Sequence, residues 1–167
     1  MLFYQGAAGA ERVFEVIDNE PSVKESKSAA KLKISACNIK FQEVSFSYPN
    51  TKEQAIKNIN VSIDGGTTAA LVGHSGAGKS TIINLLPRFY DPKKGAVYID
   101  GQDISSVTID SLRKNISLVS QDIILFDDTV RANIAYANMD ASDEEIKTAC
   151  DLAAASDFIK DLPHAYE

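Results

Sequence analysis

The chain has 167 residues, enough for one domain with a hydrophobic core, and its 44% hydrophobic and 24% charged residues are typical of a globular protein. Its formal net charge of -6 argues against a general nucleic-acid-binding protein, whose surface would be basic, so no nucleic-acid partner is expected. The two cysteines, Cys37 and Cys150, lie far apart and fit neither a disulfide framework nor a metal-binding pattern.

The first predicted element is a helix between Ala8 and Asp18. Its apolar residues recur at the spacing of one helical face, namely Ala10, Val13, Phe14 and Ile17. The stretch that follows, to Ala36, is rich in lysine, serine and alanine and indicates a solvated linker. No apolar run in the sequence reaches the roughly 18 to 20 residues of a membrane-spanning helix.

Alternating apolar residues predict two strands, over 39–48 and 55–63. In the first of them the alternation slips once near Gln42 and Glu43, which indicates a bulge. Asp64-Gly65-Gly66 then predicts a hairpin-type turn. The continuous apolar run 67–73 predicts a strand in a sheet that is covered on both faces.

A helix is predicted to begin in the glycine-rich loop after this run and to end near Pro87. Beyond that helix the chain alternates between short strands and helices, which are predicted at 95–101, 109–115, 116–121 and 129–137. A turn is expected at Asp100-Gly101. The last predicted helix begins with a capping box of Ser142 and Glu145 and continues to Pro163.

The stretch LVGHSGAGKST, residues 71–81, has the G-x-x-x-x-G-K-S spacing of a phosphate-binding P-loop. Glycines allow the backbone to approach phosphate oxygens closely with its N–H groups, and the following helix adds the positive end of its dipole. In such loops the lysine reaches the β- and γ-phosphates and the serine hydroxyl ligates Mg²⁺. A chance glycine-rich turn is the alternative, but the apolar run before the loop and the helix after it both favour the P-loop.

The predicted ligand is therefore a nucleoside triphosphate with Mg²⁺. The residues predicted to hold it in the loop are Gly73, His74, Ser75, Gly76, Ala77, Gly78, Lys79, Ser80 and Thr81. Among them His74 is interpreted as a loop residue with a backbone role and not as a base.

The segments around the loop resemble the nucleotide-binding domain of ATP-binding cassette (ABC) exporters of the B-type half-transporter group, which includes lipid flippases and multidrug pumps. The resembling segments are FSYP (46–49), RFYDPKKGAVYIDGQDI (88–104), SLRKNISLVSQDIILFDDTVRANIAY (111–136) and the terminal LPHAYE. The resemblance covers nearly the whole chain. It implies an α/β fold of the P-loop NTPase class, as a partial ABC domain with an antiparallel β subdomain, a P-loop core and the start of a helical subdomain.

The same resemblance implies a domain organisation. Residues 1–20 would be a helix continuing from a missing transmembrane domain, residues 21–36 a linker, and residues 37–167 a truncated nucleotide-binding domain. The chain would then lie in the cytoplasm, at the cytoplasmic face of the membrane when attached to a transmembrane partner.

The resemblance also implies roles for residues outside the loop. Tyr48 matches the A-loop aromatic residue, which stacks on adenine, although a tyrosine near a strand end is by itself more often a packing residue. Gln121 matches the Q-loop glutamine, which contacts Mg²⁺ or its water, so that Ser80 and Gln121 are the implied metal ligands. The segment 122–135 matches the region where the transmembrane domain docks, with ordinary helix packing as the alternative.

Other parts of the family's catalytic machinery are not found in the sequence, which contains no LSGGQ-type signature and no apolar run followed by Asp-Glu. The stretch IILFDD (123–128) superficially resembles a Walker B strand, but it directly follows Gln121, where the family pattern explains it better. We therefore expect a chain that binds MgATP, contains no catalytic residue and does not hydrolyse ATP alone. Its partners would be a complementary C-terminal half or a second nucleotide-binding domain.

Three hypotheses follow. The first is the MgATP-binding portion of an export ATPase that powers transport of a lipid or drug-like substrate. The second is a non-catalytic nucleotide-binding or interaction fragment from a split or decayed gene. The third, a DNA-repair ATPase or small-molecule kinase, is disfavoured by the acidic charge and by the surroundings of Tyr48 and Gln121. Because strand 67–73 would have an open edge, we also expect marginal stability and weak ATP binding.

Overall fold

The computed structural model describes residues 2–49, 51, 53–121 and 123–167, with side chains from Ala10 onward. The chain divides into two compact units, Met1–Leu118 and Val119–Glu167, each with its own hydrophobic core. The first helix, α1, spans Leu2–Ile17, and its predicted apolar face is exposed. None of the helices in the described ranges combines the length and the apolar character needed to cross a membrane.

An antiparallel sheet forms the centre of the first unit. Its strands are β1 (Ile39–Phe46), β2 (Ile56–Ile63), β3 (Lys94–Ile99) and β4 (Gln102–Asp103), and within the described residues they lie in the order β2-β1-β3-β4. The predicted bulge in β1 is confirmed, because its register with β2 shifts between Phe41 and Val44 and Glu43 has a φ of 51°. The extra residue resets the alternation, so that Phe41, Val44 and Phe46 are all buried.

Helices pack on this sheet and complete the first core. The helix after the glycine-rich loop, α2, spans Lys79–Leu85 and ends before Pro87, as predicted. A short 3-10 helix at Ile104–Ser106 leads to α3, which spans Ile109–Arg113. Leu85 and Leu112 are fully buried among the apolar side chains of the strands.

The second unit is helical. Its elements are α4 (Val130–Ala135), α5 (Asp143–Leu152) and α6 (Ser156–Lys160). The predicted capping box is confirmed: Ser142 Oγ accepts a hydrogen bond from the Glu145 amide, and the Glu145 carboxylate accepts one from the Ser142 amide.

The prediction of one continuous helix to Pro163 is wrong. The helix ends at Leu152, Ala154 has a φ of 52°, and α6 begins two residues later. On a straight helix, residues 150 and 159 would lie about 180° apart. The break lets Ile159 and Cys150 share one buried core, and it leaves Phe158, which the periodicity placed on the apolar face, exposed.

Two predicted strands, 67–73 and 116–121, are also wrong. All of these residues are described, and none of them belongs to a strand. An extended apolar run becomes a strand only through backbone hydrogen bonds to a neighbouring strand, and no β-ladder in the described residues includes either run. Val72 and Val119 accordingly remain 89% and 92% exposed. Apolar surface of this kind favours association, and the marginal stability expected for the chain stays a prediction.

The predicted linker, 21–36, has mostly exposed side chains, but its second half is attached to the first unit by its backbone. Ala30 donates to the Ser106 carbonyl and accepts from the Thr108 amide, which forms a short parallel bridge. Leu32 is buried, and its amide donates to Ser111 Oγ at 2.9 Å. The composition of this segment correctly predicted that its side chains are solvated, but it could not predict these backbone contacts.

Asp100 holds the end of this segment. With Gly101 it forms the predicted turn between β3 and β4, with φ values of 48° and 75°. Its carboxylate accepts four backbone N–H groups at 2.7–3.1 Å, from Ser35, Ala36, Cys37 and Asn38. These bonds, foremost those from Ser35 and Asn38, hold the pKa of Asp100 far below its usual range.

Replacing Asp100 with Asn keeps a favourable turn residue but removes the charge that accepts these amides, so we expect a lower unfolding temperature near neutral pH. Because the folded-state pKa is depressed, this contribution is fully present above the unfolded-state pKa of about 3.9 and is lost as the pH falls through the folded-state pKa. The difference between the unfolding temperatures of the wild type and Asp100→Asn, measured by circular dichroism, should therefore become smaller as the pH falls below about 4.

The matched control is Asp110→Asn, which removes an exposed carboxylate that pairs with Lys114 across one helical turn. Such exposed pairs contribute little to stability, so this variant should melt near the wild-type temperature. An Asp100→Asn variant that melts like the control, or a difference that does not change with pH, would contradict the role given to Asp100.

Candidate functional site

The glycine-rich loop ends at an uncapped helix terminus. Gly76 and Gly78 both take left-handed φ values, 80° and 86°. Gly78 is the N-cap of α2, and no side chain among the described residues caps this end of the helix. The first amides of a helix have no partner within the helix, so they are available to an external anion.

Position 78 requires glycine for space as well as for its φ. A Cβ atom there would lie 2.7 Å from the Ala55 carbonyl oxygen, closer than real Cβ contacts allow. Ala55 directly precedes β2, so the loop lies in close contact with the edge of the sheet at this point. Gly78 of the P-loop pattern is therefore required because the loop and the sheet approach each other closely at this point.

Lys79 folds back over the loop. Its Nζ donates to the carbonyl oxygens of Gly73 and His74, at 2.8 Å each. Because an ammonium group has three donors, a third N–H is left for a phosphate oxygen. Ser80, the predicted Mg²⁺ ligand of the loop, is exposed in the first turn of α2.

The middle of the loop is held by two further hydrogen bonds. The Ala77 amide donates to the His74 carbonyl at 3.2 Å. His74 Nδ1 lies 2.7 Å from the carbonyl oxygen of Ser75. Sequence reasoning assigned His74 a backbone role alone, and no spacing rule points to this side-chain contact.

The structure brings Tyr48 to the loop helix. Its hydroxyl lies 2.9 Å from Oγ1 of Thr81, the last residue of the predicted loop, which is buried. The Tyr48 ring makes edge-to-face contacts with Phe46 and Tyr90, with ring centroids 5.0 and 5.3 Å away. The packing role considered from the sequence is therefore observed, and contact with adenine stays a prediction. Tyr90 is a partner that the sequence did not single out.

Gln121 is an exposed residue of the second unit and lies at a bend. The expectation that it ends a strand is wrong, because 116–121 forms none. Its predicted contact with Mg²⁺ remains a prediction from the resemblance.

The predicted docking segment, 122–135, lies in the same unit, and its first residue, Asp122, is outside the described residues. A cavity of about 530 Å³ opens beside this segment. The rings of Phe126 and Tyr136 stack there with centroids 4.6 Å apart, and Asp127, Asp128 and Arg131 also line the cavity.

The residues of the loop are suited to Mg²⁺ that is bound together with a triphosphate, and less suited to a metal ion held by protein ligands alone. In the described parts of the chain, no group of three or more His, Cys, Asp or Glu side chains is placed to hold a metal ion. Mg²⁺ commonly takes only one or two protein oxygens and completes its shell with phosphate and water oxygens. The exposed Ser80 beside the uncapped amides matches that requirement.

An antiparallel sheet, a glycine-rich loop pressed against it and a helix that begins at the lysine together define a nucleotide-binding unit of the P-loop class. The family model described as ABC transporter matches residues 56–166. The chain belongs to the ABC transporter family, and it is part of the family's ATP-binding domain.

Individual relatives agree with this placement. The chain is 45% identical over 163 residues to an ATP-dependent lipid A-core flippase of Syntrophus aciditrophicus, covering 98% of this chain and 27% of the flippase. It is 45% identical over 155 residues to a putative multidrug export ATP-binding/permease protein of Staphylococcus aureus, covering 93% of this chain and 27% of that protein.

Among solved structures, a bacterial Atm1-family ABC exporter with ATP bound superposes with a TM-score of 0.89 at 40% identity, covering 99% of this chain and 29% of the exporter chain. The predicted fold class, a partial ABC nucleotide-binding domain, is confirmed. The chain spans less than a third of the length of each of these relatives.

Replacing Gly78 with Ala should damage the loop, because the new Cβ meets the Ala55 carbonyl and an alanine is strained at a φ of 86°. We expect MgATP affinity, measured by calorimetric titration, to fall at least about tenfold. Gly66→Ala is the matched control, because Gly66 has a φ of 72° with open space where its Cβ would lie. Equal affinities of the two variants would contradict the close-approach explanation.

Proposed function

We propose that this chain is the MgATP-binding part of an ABC export ATPase that powers transport of a lipid or drug-like substrate. One observation carries the nucleotide-binding part of the proposal: α2 begins after Gly78 without a side-chain cap among the described residues, and the Lys79 ammonium binds the carbonyls of the same loop, where the sequence has the P-loop pattern. The relatives named as a lipid A-core flippase and a multidrug export protein support the substrate class.

The phosphates bind along the loop. The backbone amides between Gly76 and Ser80 donate to phosphate oxygens, and Lys79 adds its remaining N–H and its charge. Ser80 Oγ is the protein ligand proposed for Mg²⁺, which, when bound, neutralises the phosphate charge. Gln121 is proposed as a second oxygen donor on the strength of the family resemblance.

The nucleoside lies toward Tyr48. The bond to Thr81 and the contacts with Phe46 and Tyr90 fix the ring next to α2, and the side chain is only half-buried. A fixed aromatic ring that keeps exposed surface is suited to stacking on a base.

The transmembrane partner docks on the second unit. The cavity beside 122–135 offers the stacked rings of Phe126 and Tyr136 together with Arg131, and these residue types are enriched at protein interfaces. We propose that a cytoplasmic segment of the membrane domain occupies it, which places the chain at the cytoplasmic face of the membrane. A second nucleotide-binding domain or a complementary C-terminal half is the other proposed partner.

The test is calorimetric titration of the 167-residue chain with MgATP, with released phosphate followed in parallel. We expect Lys79→Ala to weaken binding at least about tenfold, because it removes a charge-assisted bond to phosphate and two bonds that hold the loop. We expect no phosphate release from either protein, since no residue of this chain is assigned to hydrolysis.

Lys57→Ala is the matched control, because Lys57 is an exposed lysine on β2 of the same unit. It should bind MgATP like the wild type. Unchanged binding by Lys79→Ala would contradict the proposed phosphate site. Phosphate release that depends on Lys79 would show that a carboxylate such as Asp127 or Asp128 acts in hydrolysis, contrary to the proposal.

A further inference from the structure

We infer that the His74 side chain is a positioning residue of the phosphate loop, which holds the Ser75 carbonyl and thereby aims the Gly76 amide at the phosphate. The inference rests on the proposed nucleotide-binding function of the loop. It assigns to the imidazole a role that acts through the backbone and involves no contact with the nucleotide.

The hydrogen bond fixes the position of the ring proton. His74 Nδ1 lies 2.7 Å from the Ser75 carbonyl oxygen. Because a carbonyl oxygen only accepts, the proton must be on Nδ1. The neutral ring with this tautomer and the imidazolium ion both carry that proton, so the contact does not depend on the charge of the ring.

The consequence for Gly76 follows from the planar peptide bond. The Ser75 carbonyl and the Gly76 N–H belong to the same trans peptide unit and point in opposite directions. Gly76 has a φ of 80°, and because glycine has no Cβ its backbone can adopt several orientations, so the residue itself does not fix the direction of this peptide unit. Holding the carbonyl on one side therefore selects the direction of the amide on the other.

The two preceding peptide units are held in the same way. Lys79 Nζ donates to the carbonyls of Gly73 and His74, so side-chain donors engage three successive carbonyls of the loop. The amides of the same peptide units, those of His74, Ser75 and Gly76, point away from these donors. Lys79 orders the first two peptide units, and His74 orders the third.

Loss of the imidazole should weaken phosphate binding by the free energy of about one neutral hydrogen bond, because the bound phosphate must then order the Gly76 amide. This corresponds to about a three- to tenfold rise in the Kd for MgATP. The effect should be smaller than that of Lys79→Ala, which removes two such bonds and a charge.

Three substitutions separate this role from others. In His74→Asn the side-chain amide nitrogen can take the place of Nδ1, in His74→Gln it takes the place of Nε2, and in His74→Ala both are lost. In calorimetric titrations with MgATP, we expect Ala and Gln to show the about three- to tenfold loss and Asn to stay within about twofold of the wild type. Since residue 74 is exposed, unfolding temperatures of all three should match the wild type.

A measurement without nucleotide keeps the inference testable independently of binding. In nitrogen NMR spectra of the ligand-free wild-type chain, the His74 ring should carry its proton on Nδ1. The Gly76 amide signal should move in His74→Ala and return toward its wild-type position in His74→Asn. A ring protonated on Nε2 alone, an unmoved Gly76 signal, or an Asn variant as weak as the Ala variant would overturn the inference.

The outcomes also separate the two proposals. If the wild-type chain fails to bind MgATP while the ring and Gly76 signals behave as expected, the proposed function is wrong and the His74 contact stands. If the wild type binds MgATP and Lys79→Ala does not, but His74→Ala binds like the wild type, the nucleotide site stands and the role of His74 is wrong.

Discussion

The close contact between Gly78 and the Ala55 carbonyl ties the phosphate loop to the sheet, and the geometry of the site depends on it. Ala55 leads into β2, β2 pairs with β1, and the chain after β1 returns to the loop helix through the bond between Tyr48 and Thr81. The loop is thus attached to the sheet at two points on either side of its helix terminus. A rigid support of this kind lets flexible glycines present their amides in one arrangement.

Charged groups make a second set of attachments within the first unit. Arg88 is buried, forms two hydrogen bonds with Asp91 at 2.7 and 3.0 Å, and donates to the carbonyls of Ser105 and Lys24. A buried guanidinium without such partners would be costly, so the surrounding backbone is constrained to supply them. Arg88 therefore connects the end of the loop helix to the segment that follows α1, and Asp100 holds the far end of that segment.

Features with a local cause could be predicted from the sequence. The phosphate loop, the bulge at Glu43 and the capping box at Ser142 each depend on a few neighbouring residues. Features that depend on contacts with residues far along the chain could not be predicted. Strand 67–73 lacks a ladder neighbour in the described residues, Asp100 takes its amides from more than 60 residues away, and the helix break at Ala154 follows from how Ile159 reaches its core. Hydrophobic periodicity identifies the apolar face of a helix or strand, but it does not show which segment of the chain packs against that face.

The most direct measurement is the change in amide signals of the labelled chain during titration with MgATP. If the loop holds the phosphates as proposed, the largest shifts should fall on the amides between Gly76 and Ser80, with smaller changes in the ring signals of Tyr48. The β3–β4 turn at Asp100 should be unaffected. Shifts concentrated instead around Phe126 and Tyr136, or none in the loop at saturating nucleotide, would contradict the central claim that this loop is the phosphate site.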